Sequence, residues 1–253
     1  MNKKVFISGS IAIKQLAPIV LNSLVNIQNS ELQVLIGDAE GVDTAVQKYL
    51  KANGYYNVVV YSIFDEPRYI ASDDFMFKKI IVDKDIKCNR LMQTQKDIAM
   101  TNDSAYSFVL WDGKSKGSHA NILRSIEQNK GVKVYLNQIE DFLPPSKINT
   151  NEINYIYYDN NGYTAQEIIQ YINEEKGMNF KNTREFNKFL IDKKIIEKRE
   201  DAYIPLTNHD LFIIERYRGK VKGIKFTNAF IDWFKINLQD THSDFDVNQP
   251  MLF

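Results

Sequence analysis

The chain has 253 residues, 44% of them hydrophobic and 25% charged, with 32 basic residues balanced by 32 acidic ones. That length suits one or two domains with a core large enough to fold without staples. The even charge argues against a surface coated by nucleic acid, though not against a local basic patch.

The first 136 residues alternate between two hydrophobic periods. Val5-Phe6-Ile7 is a buried-strand run bounded by Gly9, and Leu16 to Ile27 carries apolar residues at helical spacing. Leu32 to Ile36, ending at Gly37, is a second strand, and Val42 to Leu50 a helix closed near Gly54. Asn57 to Tyr61 is a third strand, Asn89 to Met100 a helix, Ser107 to Trp111 a fourth strand, Ser118 to Gln128 a helix and Val132 to Leu136 a fifth strand. Apolar strands alternating with helices predict a parallel sheet covered on both faces. Residues 1–137 are therefore expected to form an α/β, Rossmann-like doubly wound domain of about five strands. Asp65 to Lys87 breaks the rhythm and reads equally as a lid over a site or as an ordered insertion.

Residues 138–152, with Pro144-Pro145-Ser146, read as a linker. Ile153 to Tyr158 looks strand-like. Thr164 followed by Glu167 is a capping box opening a helix that runs to about Asn173. A further helix starts at Asn182 or Thr183, a hairpin joins Ile195–Lys198 to Tyr203–Leu206, and Phe226 to Leu238 forms a last helix. The order predicts a smaller α+β, winged-helix-like domain over 153–238, followed by a flexible tail over 239–253.

Open parallel sheets bind ligands at the carboxyl ends of their strands. Three such ends here carry glycines and small polar residues: Gly9 and Ser10 after the first strand, Gly37, Asp38, Gly41 and Asp43 after the second, and Trp111, Asp112, Gly113, Ser115, Gly117 and Ser118 after the fourth. Glycine lets a ligand approach the backbone, and a helix beginning near Ser118 offers unpaired N–H groups to a phosphate. Trp111 is a candidate for stacking on a base, and His119 stands beside the phosphate seat. Asp112 and Asp38 are the carboxylates closest to a catalytic role. The single cysteine, Cys88, excludes an intramolecular disulfide and fits a reducing, cytoplasmic setting. Three scattered histidines show no zinc-ligand spacing, and no apolar run approaches the ~20 residues of a membrane span. No metal, cofactor or membrane is expected.

Gly37-Asp38-Ala39-x-Gly41-Val42-Asp43 together with Trp111-Asp112-Gly113-Lys114-Ser115-Lys116-Gly117-Ser118 resembles the SLOG superfamily, in particular its YspA/YpsA-like branch of Rossmann-like proteins. The first motif is also similar to a turn of DNA-processing protein A, a single-strand DNA binder. The resemblance covers about residues 3–136. It implies a nucleotide or nucleotide-derived ligand, a signal-sensing role in defence systems for some members, and homodimers paired through helices. The LOG branch of that superfamily cleaves the N-glycosidic bond of nucleoside monophosphates through a P-G-G-x-G-T-x-x-E pattern. Aligning Gly117-Ser118 with its Gly-Thr puts Asn121 at the glutamate, and a neutral amide cannot act as that carboxylate. Nucleotide binding without turnover is thus the leading expectation, with a nucleotide N-glycosidase and a single-strand DNA binder as alternatives.

The second half suggests contact with DNA or a protein partner. Lys181, Arg184 and Lys188 lie on the expected recognition helix, and Arg216, Arg218, Lys220 and Lys222 alternate so that an extended strand would project all four from one side. Against this, residues 151–253 hold 14 basic and 16 acidic residues. Tyr163-Thr164-Ala165 through Pro205, with Lys225-Phe226-Thr227, loosely resembles the C-terminal helix–turn–helix domains of phage antirepressors. At the end of the chain, Gln249-x-x-Leu252-Phe253 is similar to the bacterial sliding-clamp-binding motif.

Overall fold

The computed structural model describes residues 3–83, 85–176, 179–206 and 209–237. The chain divides into two compact units, one ending at Ile156 and the other starting at Tyr157.

The first unit is built on a seven-stranded sheet. Its strands are β1 (Lys4–Gly9), β2 (Gln33–Ile36), β3 (Val58–Ser62), β4 (Met76–Lys79), β5 (Tyr106–Trp111), β6 (Gly131–Leu136) and β7 (Asp141–Phe142), ordered β4-β3-β2-β1-β5-β6-β7. All neighbours are parallel except β6 and β7. The register sets Val5 beside Val34 on one side and Tyr106 on the other. The helices are α1 (Pro18–Asn29), α2 (Val42–Ala52), α3 (Asn89–Asp103) and α4 (Lys116–Glu127). Val5, Ile7, Val34, Ile36, Val58 and Val60 pack with Val20 and Leu24 of α1 and Val46 and Leu50 of α2. The alternate strand positions Phe6, Leu35, Val59 and Tyr61 cluster with Met100 of α3. Both faces of the central strands are therefore apolar, which is why these segments read as continuous hydrophobic runs. The architecture is the expected doubly wound, Rossmann-like α/β fold.

Two strands exceed the five expected. β4 lies inside the Asp65–Lys87 stretch; its four residues are all exposed, so Met-Phe-Lys-Lys gives neither a buried run nor an alternation. β7 has only two residues.

The linker region is structured too. Helix α5 (Thr150–Asn161) starts within it and corrects the strand expected at Ile153–Tyr158. The Asn149 side chain accepts from the Glu152 amide at 3.0 Å, a helix start that outweighs the β-propensity of the isoleucines and tyrosines.

The second unit continues with α6 (Ala165–Lys176), α7 (Thr183–Asp192), hairpin β8 (Ile196–Arg199) and β9 (Ala202–Pro205), hairpin β10 (Phe212–Tyr217) and β11 (Lys220–Phe226), and α8 (Asn228–Asn237). The capping box is made: Thr164 N–H donates to Glu167 Oε2 at 2.8 Å, and Glu167 N–H to Thr164 Oγ1 at 3.3 Å. Asn182 caps α7 by accepting from Glu185 N–H at 3.0 Å. Phe186, Phe212, Phe226, Phe230 and Phe234 form an aromatic core with Ile168, Ile172, Leu190 and Ile196. No described helix is long and apolar enough to cross a membrane.

Candidate functional site

The strand order reverses beside β1: the chain builds outward through β2, β3 and β4, and α3 then returns it to β5 on the other flank. A crevice at the carboxyl ends of β1 and β5 is the position where such sheets hold ligands. Ser10 follows β1 and Asp112 follows β5. Ser10 Oγ donates to Asp112 Oδ1 at 2.8 Å, and the Asp112 amide donates back to Ser10 Oγ at 3.1 Å. The same Oδ1 accepts from the amides of Lys114 and Ser115 at 3.0 and 2.7 Å, which shapes the loop around Gly113, at φ +76°. Ser115 is the N-cap of α4, accepting from Ser118 N–H at 3.4 Å, and its Oγ lies 3.2 Å from Ser118 Oγ. Ser118 Oγ is in turn 3.4 Å from Ser10 Oγ. Three hydroxyls and a carboxylate from two loops and one helix start thus converge. Asp112 is half-buried, and its Oδ2 makes no hydrogen bond among the described residues.

Gly117 sits in the first turn of α4 and is exposed. A β-carbon there would meet only Ser115 Oγ, at 4.0 Å. Gly9, by contrast, is required by packing: a β-carbon would lie 2.5 Å from both the Leu110 carbonyl oxygen and the Val42 side chain. Gly41 combines φ +81° with the Ile11 backbone pressed against it. These two glycines serve the fold, while Gly117 leaves open space at a helix N-terminus.

The β2 end differs from the expectation. Asp38 is buried and saturated. Its carboxylate accepts from Ser62 Oγ at 2.8 Å, from Arg68 N, Nε and Nη2 at 3.1, 3.2 and 2.7 Å, and from Lys96 Nζ at 2.8 Å. Burial pushes this carboxyl up, but Arg68, Lys96 and Ser62 more than offset it and hold it well below the usual carboxylate range. Asp38 is thereby corrected from a ligand or catalytic group to the centre of an internal ion cluster. Asp43 is buried as well and accepts from Ala39 N–H at 3.1 Å, so this aspartate orders the β2 turn. Burial raises its carboxyl to about 6 despite the attraction of Lys96. A β-carbon at Gly37 would overlap the Asp43 carboxylate, so Gly37 makes room for the chain's own charges.

Trp111 is corrected too. Its side chain is fully buried, stacks on His119 with ring centroids 6.0 Å apart, and donates Nε1–H to the Ser115 carbonyl at 3.2 Å; no face remains for a base. His119 is buried and its Nε2 lies 2.9 Å from Asn154 Oδ1. Burial holds its pKa below the ordinary imidazole value. Asn121 donates to Asp97 Oδ2 at 3.4 Å and accepts from Arg124 Nη1 at 2.8 Å. Burial raises the Asp97 carboxyl.

Sequence reasoning missed Arg68, Lys96 and Asp97 as members of this constellation. One signal was available: Lys96 lies one turn before buried Met100, a lysine on the inward stripe of a helix, and such a charge must find a partner. Arg68 gave no comparable signal, because it arrives from an irregular segment.

The second unit places Lys181, Arg184 and Lys188 at and along α7, all exposed. Arg216, Arg218, Lys220 and Lys222 do not share one extended strand. Arg218 and Gly219, both at positive φ, turn the chain between β10 and β11, and a register shift precedes the turn at Glu215/Arg216. Arg216 pairs with Val221 and Tyr217 with Lys220, so Arg216 and Lys220 lie on opposite hairpin faces with Arg218 at the tip. None of the four forms an ion pair among the described residues; Glu215 is engaged by Lys225 at 3.1 Å. Tyr217 is exposed, with the Arg218 guanidinium 5.3 Å from its ring centre. Gln249, Leu252 and Phe253 lie outside the described residues.

A separate open groove of about 330 Å³ lies between α1 and the amino ends of β5 and β6, lined by Val5, Ile27, Tyr106, Phe108, Gly131 and Lys133 among others, remote from the β1/β5 crevice. No group of three metal-binding side chains occurs among the described residues. No protein-family model, curated protein or solved structure matches the chain. The chain is thus a doubly wound α/β unit with a cluster of hydroxyls and a carboxylate at its topological switch point, joined to a small α+β unit.

Proposed function

We propose that the first unit binds a nucleotide or nucleotide-derived molecule at the ends of β1 and β5. The observation that carries this reading is the convergence of Ser10, Ser115, Ser118 and Asp112 beside the open Gly117. The amides opening α4 and the partly exposed Ser115 suit a phosphate, and the unused Asp112 Oδ2 suits a sugar hydroxyl, while buried Ser10 and Ser118 hold Asp112 and Ser115 in position. Calorimetric titration with a panel of mono-, di- and cyclic nucleotides tests it. Saturable binding of at least one is expected, weakened at least tenfold by Asp112→Asn, which replaces the accepting charge by a neutral amide. Absence of binding across the panel refutes the reading.

The second unit contacts nucleic acid in this proposal, supported by cations of the β10–β11 hairpin that lack carboxylate partners and flank an exposed tyrosine. Replacing Arg216, Arg218, Lys220 and Lys222 together by serine should make the slope of log affinity against log salt shallower by about 2 on duplex DNA, since only one hairpin face and the tip can meet one duplex. An unchanged slope excludes the hairpin as the contact.

A further inference from the structure

We propose that the groove between α1 and the amino ends of β5 and β6 is a second ligand site, independent of the nucleotide seat, that takes a small apolar carboxylate. The groove is open on one side and holds about 330 Å³, near the lower end of the ~300–1,000 Å³ common for small-molecule sites. Its walls follow from the alternation of the sheet. The register sets Tyr106 beside Val5 and Gly131, and Phe108 beside Ile7 and Lys133, so these residues share the face that packs on α1. Val5, Ile27 and Phe108 belong to the core on that face, and Leu32 and Tyr106 pack against it. Gly131 keeps the floor flat, since a β-carbon there would lie 2.7 Å from the Tyr106 ring. Two aromatic rings and their aliphatic neighbours thus border an open cleft.

The charge selects the head of the ligand. Lys133 is the one charged residue that lines the groove. Its Nζ donates to Ser23 Oγ at 2.9 Å and lies 4.0 Å from the centre of the Phe142 ring, so two neutral groups fix the ammonium without neutralising it. A second ammonium, on Lys3, donates to the Tyr106 hydroxyl at 3.1 Å. Neither lysine forms an ion pair among the described residues, and no carboxylate lines the groove. A cation held in place on an apolar cleft complements a molecule with one anionic head and an apolar body. A single lining cation among apolar walls does not suit the several charges of a nucleotide.

Saturation-transfer NMR of phenylbutyrate with the full chain tests the proposal, with phenylbutyramide as the neutral counterpart. The acid should bind saturably and about fivefold more tightly than the amide, the upper range for a partly exposed ion pair. Lys133→Met should bring the acid down to the affinity of the amide, and Lys133→Arg should keep the preference. Asn26→Trp, at an exposed position of α1 on the groove, should fill it from the rim and abolish binding at an unchanged thermal midpoint. Asp112→Asn should leave these titrations unchanged, which separates this site from the nucleotide seat. Displacement of phenylbutyrate by decanoate would extend the site to aliphatic acids, and failure to displace would restrict it to aryl acids; both agree with the proposal. No saturable binding, an amide that binds as tightly as the acid, an acid preference that survives Lys133→Met, binding that survives Asn26→Trp, or binding lost in Asp112→Asn would each overturn it. The first of these is also what a face reserved for another protein would give.

Discussion

Replacing Asp43 by asparagine should stabilise the protein at neutral pH, by an amount that depends on pH in a defined way. Asp43 is buried beneath the β2 turn, faces Lys96, and shares its surroundings with Asp38 and Asp97. Burial raises its carboxyl from 3.8 to about 6. Between those two values the native state binds a proton that the unfolded chain has released, so this group's contribution falls as pH rises through the interval. A shift of that size corresponds to about 3 kcal/mol, complete near pH 7 and absent below about pH 4. Asparagine keeps an oxygen for the Ala39 amide and carries no charge to desolvate. Urea unfolding of both proteins at pH 4, 5, 6 and 7 reads the effect. The advantage of Asp43→Asn over wild type should grow by about 3 kcal/mol across that range. His119 also changes stability with pH, but equally in both proteins; Asp38 and Asp97 are coupled to Asp43, so the difference reads Asp43 together with its effect on those two carboxyls. A difference that stays constant with pH, or that grows in favour of the wild type, would refute the reasoning.

The glycines separate by environment. Gly37→Ala should cost about 1–3 kcal/mol in urea unfolding, because its methyl overlaps the Asp43 carboxylate. Gly117→Ala should leave stability unchanged or raise it by up to about 1 kcal/mol, as alanine favours a helix, while its methyl fills the seat and weakens nucleotide binding in calorimetry. Thr164→Ala removes the hydroxyl that accepts from the Glu167 amide, leaves the backbone Thr164 N–H on Glu167, and should lower the stability of the second unit by about 1 kcal/mol, seen as an earlier transition for a probe in that unit such as Trp233 fluorescence.

The central strands were legible because burial on both faces leaves a run of apolar residues that no neighbouring segment imitates. Val5-Phe6-Ile7 and Phe108-Val109-Leu110 are read from composition alone. β4 was not legible: an edge strand exposed on all four residues carries no burial pattern, and its parallel ladder to β3 depends on where a long crossover sets it down. The helix at Thr150–Asn161 was misread because its one buried residue, Ile153, cannot establish a helical period. The β10–β11 hairpin was hidden in a run of alternating cations, since the turn uses Arg218 at positive φ rather than an asparagine or aspartate before Gly219.

The two loop motifs that looked equivalent in sequence have opposite fates for one physical reason. Both set a carboxylate and glycines at a strand end, and both could in principle face a ligand. At the β2 end the chain supplies its own partners: Arg68, Lys96 and Ser62 occupy both carboxylate oxygens of Asp38, and the space a side chain would occupy at Gly37 is filled by Asp43. Such a cluster has nothing left to offer, and replacing its partners can only uncover a buried charge. At the β5 end the acceptors are divided. Asp112 spends Oδ1 on Ser10 and the loop amides and keeps Oδ2, and at Gly117 in the first turn of α4 a β-carbon would meet only Ser115 Oγ. A motif's glycines and aspartates therefore do not mark a binding loop by themselves; the acceptors the fold leaves unfilled do. By that measure the β5 end, and not the β2 end, keeps an acceptor that the fold leaves unfilled.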